Sequence, residues 1–126
     1  MSAVAAAEED SILLVDSDAI GRALIADYLR GCGYRVVEAG TLADSKLALE
    51  QQEVDLAVVD VELRDESGFE LAAWIRGNRP QIRVILTGSI ERAANLAADL
   101  CDEGPALTRP FHPQQLLDRI KRLRRR

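Results

Sequence analysis

Four polar side chains each stand at the end of a short, mainly apolar segment: Asp16, Asp60, Thr87 and Arg109. Carboxylate oxygens are the ligands that Mg²⁺ prefers, and a carboxylate beside Mg²⁺ can attack phosphorus as a nucleophile. A hydroxyl and a guanidinium can bind the oxygens of the phosphoryl group that results. These residue types therefore suit the transfer of a phosphoryl group to an aspartate, provided that the fold brings the four side chains together.

The elements that would position them alternate regularly along the chain. Val54–Asp60 is almost wholly branched and apolar after Asp55, which is typical of a strand buried on both faces. Shorter runs predict the other strands, at 11–16, 34–38, 82–87 and 106–108. Helical spacing of apolar residues, with capping or stop residues, predicts helices at 19–30, 42–52, 68–78, 91–101 and from Pro113 onward.

Five strands alternating with five helices predict a single α/β domain with a parallel sheet covered by helices on both faces. The carboxyl ends of such strands lie at one edge of the sheet, where ligands bind. Each polar residue taken alone could simply end its strand or cap the next loop. Four of them at one edge are better explained by a shared site.

Apolar residues at helical spacing indicate three of the helices. The first helix carries apolar residues at helical spacing: Ile20, Ala23, Leu24 and Tyr28. The third has a stripe of Phe69, Ala72 and Ile75, from which Trp74 points away and is expected to be partly exposed. In the last helix the apolar face consists of Leu116, Leu117, Ile120 and Leu123.

Five segments together resemble the receiver domain of bacterial two-component response regulators: Ile12–Asp16, Val54–Asp60, Gly68–Leu71, Val84–Gly88 and Arg109–Phe111. The resemblance covers essentially the whole chain, with order and spacing matched. It implies a flavodoxin-like, doubly wound, five-stranded parallel sheet with five helices. Residues 11–126 would form the receiver domain, and the acidic segment 1–10 is expected to be a flexible tail.

The resemblance also implies a role for each candidate residue. Asp60 would accept a phosphoryl group from a sensor histidine kinase or a phosphotransfer protein. Asp16, Asp60 and the backbone carbonyl of Glu62 would hold Mg²⁺, and Thr87 would be the switch hydroxyl. Such a domain gains and loses its own phosphoryl group and is not expected to be an enzyme. Its Arg109–Pro110 peptide bond is expected to be cis.

Three departures from the family pattern predict a degraded site. Ser17 stands where receivers usually carry a second acid, which leaves its hydroxyl as an uncertain metal ligand, and Asp18 is better placed to cap a helix. Arg109 replaces the usual Lys, a change from a compact ammonium to a wide planar fork. Ala106 replaces an aromatic residue that is often coupled to the switch hydroxyl. Mg²⁺ is therefore expected to bind weakly or not at all.

Two other functions are also compatible with the sequence. The altered positions are also compatible with a receiver-fold module that binds proteins without using phosphate. Asp16 and Asp18 further resemble the opening motif of haloacid-dehalogenase-like phosphatases, although the acid Asp60 precedes Thr87, against the order of that family. A downstream partner or a second copy of the chain is expected to contact 90–101 and 113–124.

Composition bears on nucleic-acid binding, membrane insertion and cellular location. The chain has 126 residues and a net charge of −5, so binding of nucleic acid by the domain is not expected, despite the basic segment 119–126. No apolar stretch approaches the roughly 20 residues needed to cross a bilayer. Cys32 and Cys101 form neither a disulfide framework nor a metal spacing, and a cytoplasmic location with reduced thiols is expected.

Overall fold

The computed structural model describes residues 10–88 and 107–124. Its strands are β1 (Ser11–Val15), β2 (Arg35–Ala39), β3 (Leu56–Asp60), β4 (Glu62–Leu63), β5 (Glu66–Ser67), β6 (Arg83–Gly88) and β7 (Leu107–Thr108). Five of them form one parallel sheet in the order β2-β1-β3-β6-β7, and β4 pairs antiparallel with β5. The five-stranded parallel sheet is therefore confirmed. Successive strands are added toward one side of the sheet from β1 to β2 and toward the other side from β3 onward, so the switch point lies between β1 and β3.

The described helices are α1 (Ala19–Gly31), α2 (Leu42–Gln51), α3 (Gly68–Asn78) and α4 (Pro113–Arg124). Buried side chains of α1 and α4 pack on one face of the sheet, and those of α2 and α3 pack on the other. The fold is thus doubly wound, as expected. The predicted helix 91–101, Ala106 and nearly all of the proposed tail (residues 1–9) lie outside the described residues.

The sheet is buried on both faces because its central strands carry apolar side chains at successive positions. In β1, Leu13 and Val15 contact the layer of α2 and α3, whereas Ile12 and Leu14 contact that of α1 and α4. In β3 all five residues are buried, including the terminal Asp60. A continuous apolar run is required where helices cover both faces of a parallel sheet.

The side chains of α1 that are fully buried are not the apolar residues from which the helix was predicted. Ile20 and Leu24 are 77% and 67% exposed, whereas Ala26 and Leu29 are fully buried. Both faces of this helix carry apolar residues at helical spacing, so the period locates the helix without selecting the face that meets the sheet. The expectation is correct for α4, where Leu116, Leu117, Ile120 and Leu123 are all buried.

Local contacts define the start of α2 and the setting of the one tryptophan, on α3. The hydroxyl of Thr41 caps α2 by accepting a hydrogen bond from the backbone N–H of Asp44 at 3.0 Å. Trp74 is partly exposed, as expected, but it also packs against the core, so the prediction that it points away is wrong. The charged groups of Lys46 and Arg79 lie 5.3 and 5.6 Å from its ring centre. Two cations thus lie within cation–π distance of this ring.

Candidate functional site

The register of the strands brings the four predicted side chains to one edge of the sheet. Val15 lies beside Val59, and Asp60 lies beside Thr87, so Asp16 follows the strand that neighbours Asp60. The backbone N–H of Arg109 donates to the carbonyl of Gly88 at 2.8 Å, directly beyond the end of β7. Asp16, Asp60 and Thr87 are 3%, 7% and 1% exposed, so these three side chains lie beneath the surface.

Arg109 connects the other three side chains through a single nitrogen atom. Its Nη2 donates to Asp16 Oδ2 at 2.7 Å and to Thr87 Oγ1 at 3.3 Å, and lies 3.4 Å from Asp60 Oδ2. Phe111 supports the guanidinium, whose central carbon is 5.3 Å from the ring centre. Arg109 is therefore the counter-ion of both carboxylates, a pairing that its position in the sequence does not reveal.

The second oxygen of each carboxylate is held by backbone. Asp16 Oδ1 accepts the N–H of Asp18, and Asp60 Oδ1 accepts the N–H of Glu62, both at 2.9 Å. Burial raises the pKa of Asp60 above its ordinary value of 3.8, and the negative charge of Asp16 adds to the rise. The hydrogen bond from Glu62 and the charge of Arg109 oppose the rise without cancelling it.

The loop after Asp60 is a short hairpin that folds back over the site. Strands β4 and β5 are joined by Arg64 and Asp65, and Asp65 adopts a φ of 59°, which Asp tolerates better than most residues. Ser17 Oγ accepts the backbone N–H of Arg64 at 3.1 Å and so fastens the hairpin to the end of β1. The hydroxyl of Ser17 thus has a structural partner in addition to any role at a metal.

Gly68 is required where the hairpin ends and α3 begins. A Cβ atom there would overlap the backbone carbonyl oxygen of Asp60 and approach Val61 Cα to 2.7 Å. The N–H of Gly68 also donates to the carbonyl of Val61 at 3.0 Å. Close backbone contact of this kind positions Asp60, and only a residue without a side chain allows it.

The backbone N–H of Asp18 contacts Asp16, whereas its side chain lies at the start of α1. Asp18 occupies the N-cap position of α1 without making a side-chain capping hydrogen bond. A Cβ built at Gly21 would be 2.7 Å from Asp18 Oδ2, so the carboxylate lies against the first turn of the helix. Asp18 therefore stands at the helix start, as expected, but the prediction that its side chain caps the helix is wrong.

Arg22 is a site-positioning residue that sequence reasoning missed. Its Nη1 donates to the backbone carbonyl of Asp16 at 2.7 Å, and its Nε donates to Glu38 Oε1 at 3.1 Å. This links the ends of β1 and β2 to α1. A cation near a helix N-terminus opposes the helix dipole, and that mismatch was the available signal that Arg22 has another partner.

The donors at this edge fit a magnesium ion. Among the residues that the structure describes, no three His, Cys, Asp or Glu side chains form a metal cluster. Mg²⁺, however, is commonly held by one or two carboxylates together with waters and a substrate phosphate. Asp16 and Asp60 are two carboxylates of this kind, both close to Arg109 Nη2, and the carbonyl of Glu62 stays an expected ligand. The cis peptide bond expected between Arg109 and Pro110 is present.

Comparison with known proteins identifies the family. The sequence profile of the response regulator receiver domain matches residues 12–121, which is most of the chain. The chain belongs to this family. Its fold and its function as a receiver of two-component signal transduction follow from that membership, and the dehalogenase-like alternative is abandoned. Receiver domains are generally not enzymes.

Two curated regulatory proteins illustrate the similarity in sequence. The chain is 40% identical over 119 residues to the transcriptional regulatory protein GltR of Pseudomonas aeruginosa, covering 92% of this chain and 49% of GltR. It is 28% identical to the regulatory protein VanR of Enterococcus faecium, covering 93% of this chain and 51% of VanR. The chain thus spans about half the length of these relatives.

Solved structures agree with the fold. A CheY-like receiver domain from Methanospirillum hungatei superposes with a TM-score of 0.81 at 27% identity, covering 92% of this chain and 94% of that one. The response regulator TrrA of Thermotoga maritima, in complex with Mg(2+)-BeF, has a TM-score of 0.81 at 25% identity, covering 90% and 98%. Within 10–88 and 107–124, this receiver has no helix of sufficient length and apolar character to cross a membrane.

Proposed function

We propose that Asp60 of this receiver accepts a phosphoryl group from the phosphohistidine of a sensor kinase or phosphotransfer protein. The observation that carries the proposal is the convergence of Asp16, Asp60 and Thr87 on one nitrogen of Arg109. A nucleophile, a hydroxyl donor and a cation thereby occupy neighbouring strand ends. These are the groups that a phosphoryl transfer to aspartate requires.

The chemistry assigns separate tasks to the two oxygens of Asp60. Oδ1 is fixed by the N–H of Glu62, so Oδ2 is the oxygen available to attack phosphorus. As the new bond from oxygen to phosphorus forms, the phosphorus–nitrogen bond of the donor breaks and the imidazole leaves. Bound Mg²⁺ would neutralise charge on the phosphoryl oxygens, held by Asp16, Asp60 and the carbonyl of Glu62.

Thr87 and Arg109 would bind the transferred group. Thr87 Oγ1 and Arg109 Nη2 already lie 3.3 Å apart beside Asp60, so both can donate to oxygens of a phosphoryl group on Oδ2. Charge-assisted hydrogen bonds from a guanidinium are the stronger of these contacts. The proposed switch is the movement of both side chains from their present partners to the phosphoryl oxygens.

The same contacts support weak Mg²⁺ binding and slow phosphorylation. Ser17 supplies no charge and engages the backbone of Arg64, so the metal has two carboxylates rather than three. Loss of even an indirect partner of a metal commonly weakens a site by about 10–100-fold. These observations also favour the second candidate, a receiver that signals mainly by binding proteins, in which Asp60 is labelled slowly or not at all.

Partner surfaces follow from the exposed side chains. Ile20 and Leu24 form an apolar pair one helical turn apart, on the helix that begins just after Asp16. We propose this pair as a contact for a protein partner, in a cytoplasmic setting. The apolar stripe of α4 is buried in the core, so a downstream partner or second copy would meet 113–124 through its polar side, together with 90–101.

Phosphotransfer followed by intact mass measurement tests the proposal. The protein is incubated with Mg²⁺ and acetyl phosphate, or with a phosphorylated histidine phosphotransfer protein, and the gain of one phosphoryl group is recorded. Asp60→Asn should abolish the gain, whereas the exposed control Asp44→Asn should keep it. Labelling that persists in Asp60→Asn, or no labelling of the unaltered protein by either donor, would refute Asp60 as the acceptor.

A further inference from the structure

The position of the Arg109 guanidinium raises the question of how a metal ion could reach Asp16. Of the two oxygens of Asp16, Oδ1 accepts the backbone N–H of Asp18 and Oδ2 accepts Arg109 Nη2 at 2.7 Å. The backbone donor belongs to the turn that starts α1 and is fixed by the fold. Arg109 is therefore the one partner of this carboxylate that can leave without unfolding the turn.

Charge leads to the same conclusion. Arg109 lies 2.7 Å from one carboxylate of the pair and 3.4 Å from the other, so its positive charge opposes that of any cation approaching both. Electrostatic repulsion is strong at such short range in a site that is only partly hydrated. A divalent ion and the guanidinium cannot both make full contact with Asp16 and Asp60.

The inward position of Arg109 is incompletely satisfied. Its Nε–H is buried and has no hydrogen-bond acceptor, although Nη2 makes several contacts. A buried donor without an acceptor is unfavourable. The side chain is 34% exposed, so the guanidinium has a path to solvent. The unsatisfied Nε–H makes the inward position of Arg109 less favourable. The partial exposure of the side chain lets the guanidinium move into solvent when a divalent cation binds.

We propose that Arg109 is the resident counter-ion of the Asp16–Asp60 pair and competes with Mg²⁺ for it. Metal binding is then coupled to the departure of the guanidinium from Asp16, which frees it to meet a phosphoryl group. The inference deepens the proposed function because it concerns the same site. Its test measures metal binding alone and does not depend on phosphorylation.

Titration calorimetry with MgCl₂ provides the first test. Arg109→Gln removes the positive charge while keeping an amide that can donate, and we expect Mg²⁺ affinity to rise about tenfold or more. Arg35→Gln is the matched control, because Arg35 is exposed at the start of β2, at the opposite edge of the sheet, and makes the same change in net charge. Asp16→Asn should abolish binding in either background.

An affinity of Arg109→Gln that is equal to or below that of Arg35→Gln would overturn the competition. Absence of binding in both proteins would do the same. If Asp60 is never phosphorylated but Arg109→Gln binds Mg²⁺ more tightly, the proposed function fails and this inference stands. If Asp60 is phosphorylated normally but Arg109→Gln leaves the Mg²⁺ affinity unchanged, the proposed function stands and this inference fails.

A second measurement on the unaltered protein guards against misfolding of the variant. The side-chain Nε–H of Arg109 gives a ¹H–¹⁵N resonance, assignable by its loss in Arg109→Lys, and its buried setting separates it from exposed arginines. Mg²⁺ should shift this resonance with the same midpoint as the calorimetric titration. A resonance that stays unchanged at metal saturation would show that the guanidinium does not move, and the proposal would be wrong.

Discussion

The contact between Asp16 and Arg109 can be measured as a coupling energy by a double-mutant cycle of Asp16→Asn and Arg109→Gln. The oxygen and nitrogen are 2.7 Å apart, a short charge-assisted hydrogen bond. Asp16 is 3% exposed and the Arg109 side chain 34% exposed, so the pair is neither a surface nor a fully buried ion pair. Exposed pairs give about 0.2–1 kcal/mol, and breaking buried pairs costs about 3–5 kcal/mol.

We therefore expect a coupling energy of about 1.5–3 kcal/mol, between those two classes. Urea unfolding of the four proteins, followed by circular dichroism in EDTA, gives the free energies of unfolding from which the coupling is calculated. Repeating the cycle in saturating Mg²⁺ should reduce the coupling, because the metal displaces Arg109. A coupling below about 0.5 kcal/mol in EDTA would place the pair with ordinary surface contacts and would refute the reasoning.

Three further predictions address other residues of the site. Because burial raises the pKa of Asp60 above 3.8, the stability that this group contributes is greatest below that pH and is lost as the pH rises through its folded pKa. In EDTA at neutral pH, Asp60→Asn should therefore unfold at higher urea concentration than the unaltered protein, with the difference vanishing toward pH 3.8; a less stable variant would contradict this. Ser17→Asp should raise the Mg²⁺ affinity and lower the free energy of unfolding in EDTA. Adding Arg109→Lys should raise the rate of labelling by acetyl phosphate. If the unaltered protein is labelled as fast as this double variant, the site is not degraded. Gly68→Ala should cost about 2–3 kcal/mol through overlap with backbone, whereas Gly77→Ala in the same helix, with open space around it, should be neutral or stabilising by up to about 1 kcal/mol in urea unfolding.

The sequence was sufficient to place every strand of the main sheet within one or two residues and to bring four polar residues to one edge. Both results depend on local patterns: continuous apolar runs for buried strands, and polar residues directly after them. Parallel pairing then places the ends of all strands at the same edge, whatever their order. Asp60 and Thr87 share that edge for this reason, and the pairing of β3 with β6 makes them direct neighbours.

The remaining features depend on contacts between distant segments, which periodicity does not specify. The face of α1 that meets the sheet was not determined, because the exposed Ile20 and Leu24 and the buried Ala26 and Leu29 all lie at helical spacing. The hydrogen bond from Arg64 to Ser17 joins residues 47 positions apart. The pairing of Arg109 with Asp16 spans 93 positions and depends on the path of a single side chain.

The placement of the polar residues beyond the last apolar residue of each strand has a consequence for how such domains can diverge. Asp16 follows Val15, and Arg109 follows Thr108 of the edge strand β7, so each lies outside the apolar layers that hold the sheet together. A substitution at either position alters the charge of the crevice without creating a cavity in those layers. Evolution, or a protein engineer, can therefore adjust metal affinity and reactivity one strand end at a time on an unchanged scaffold.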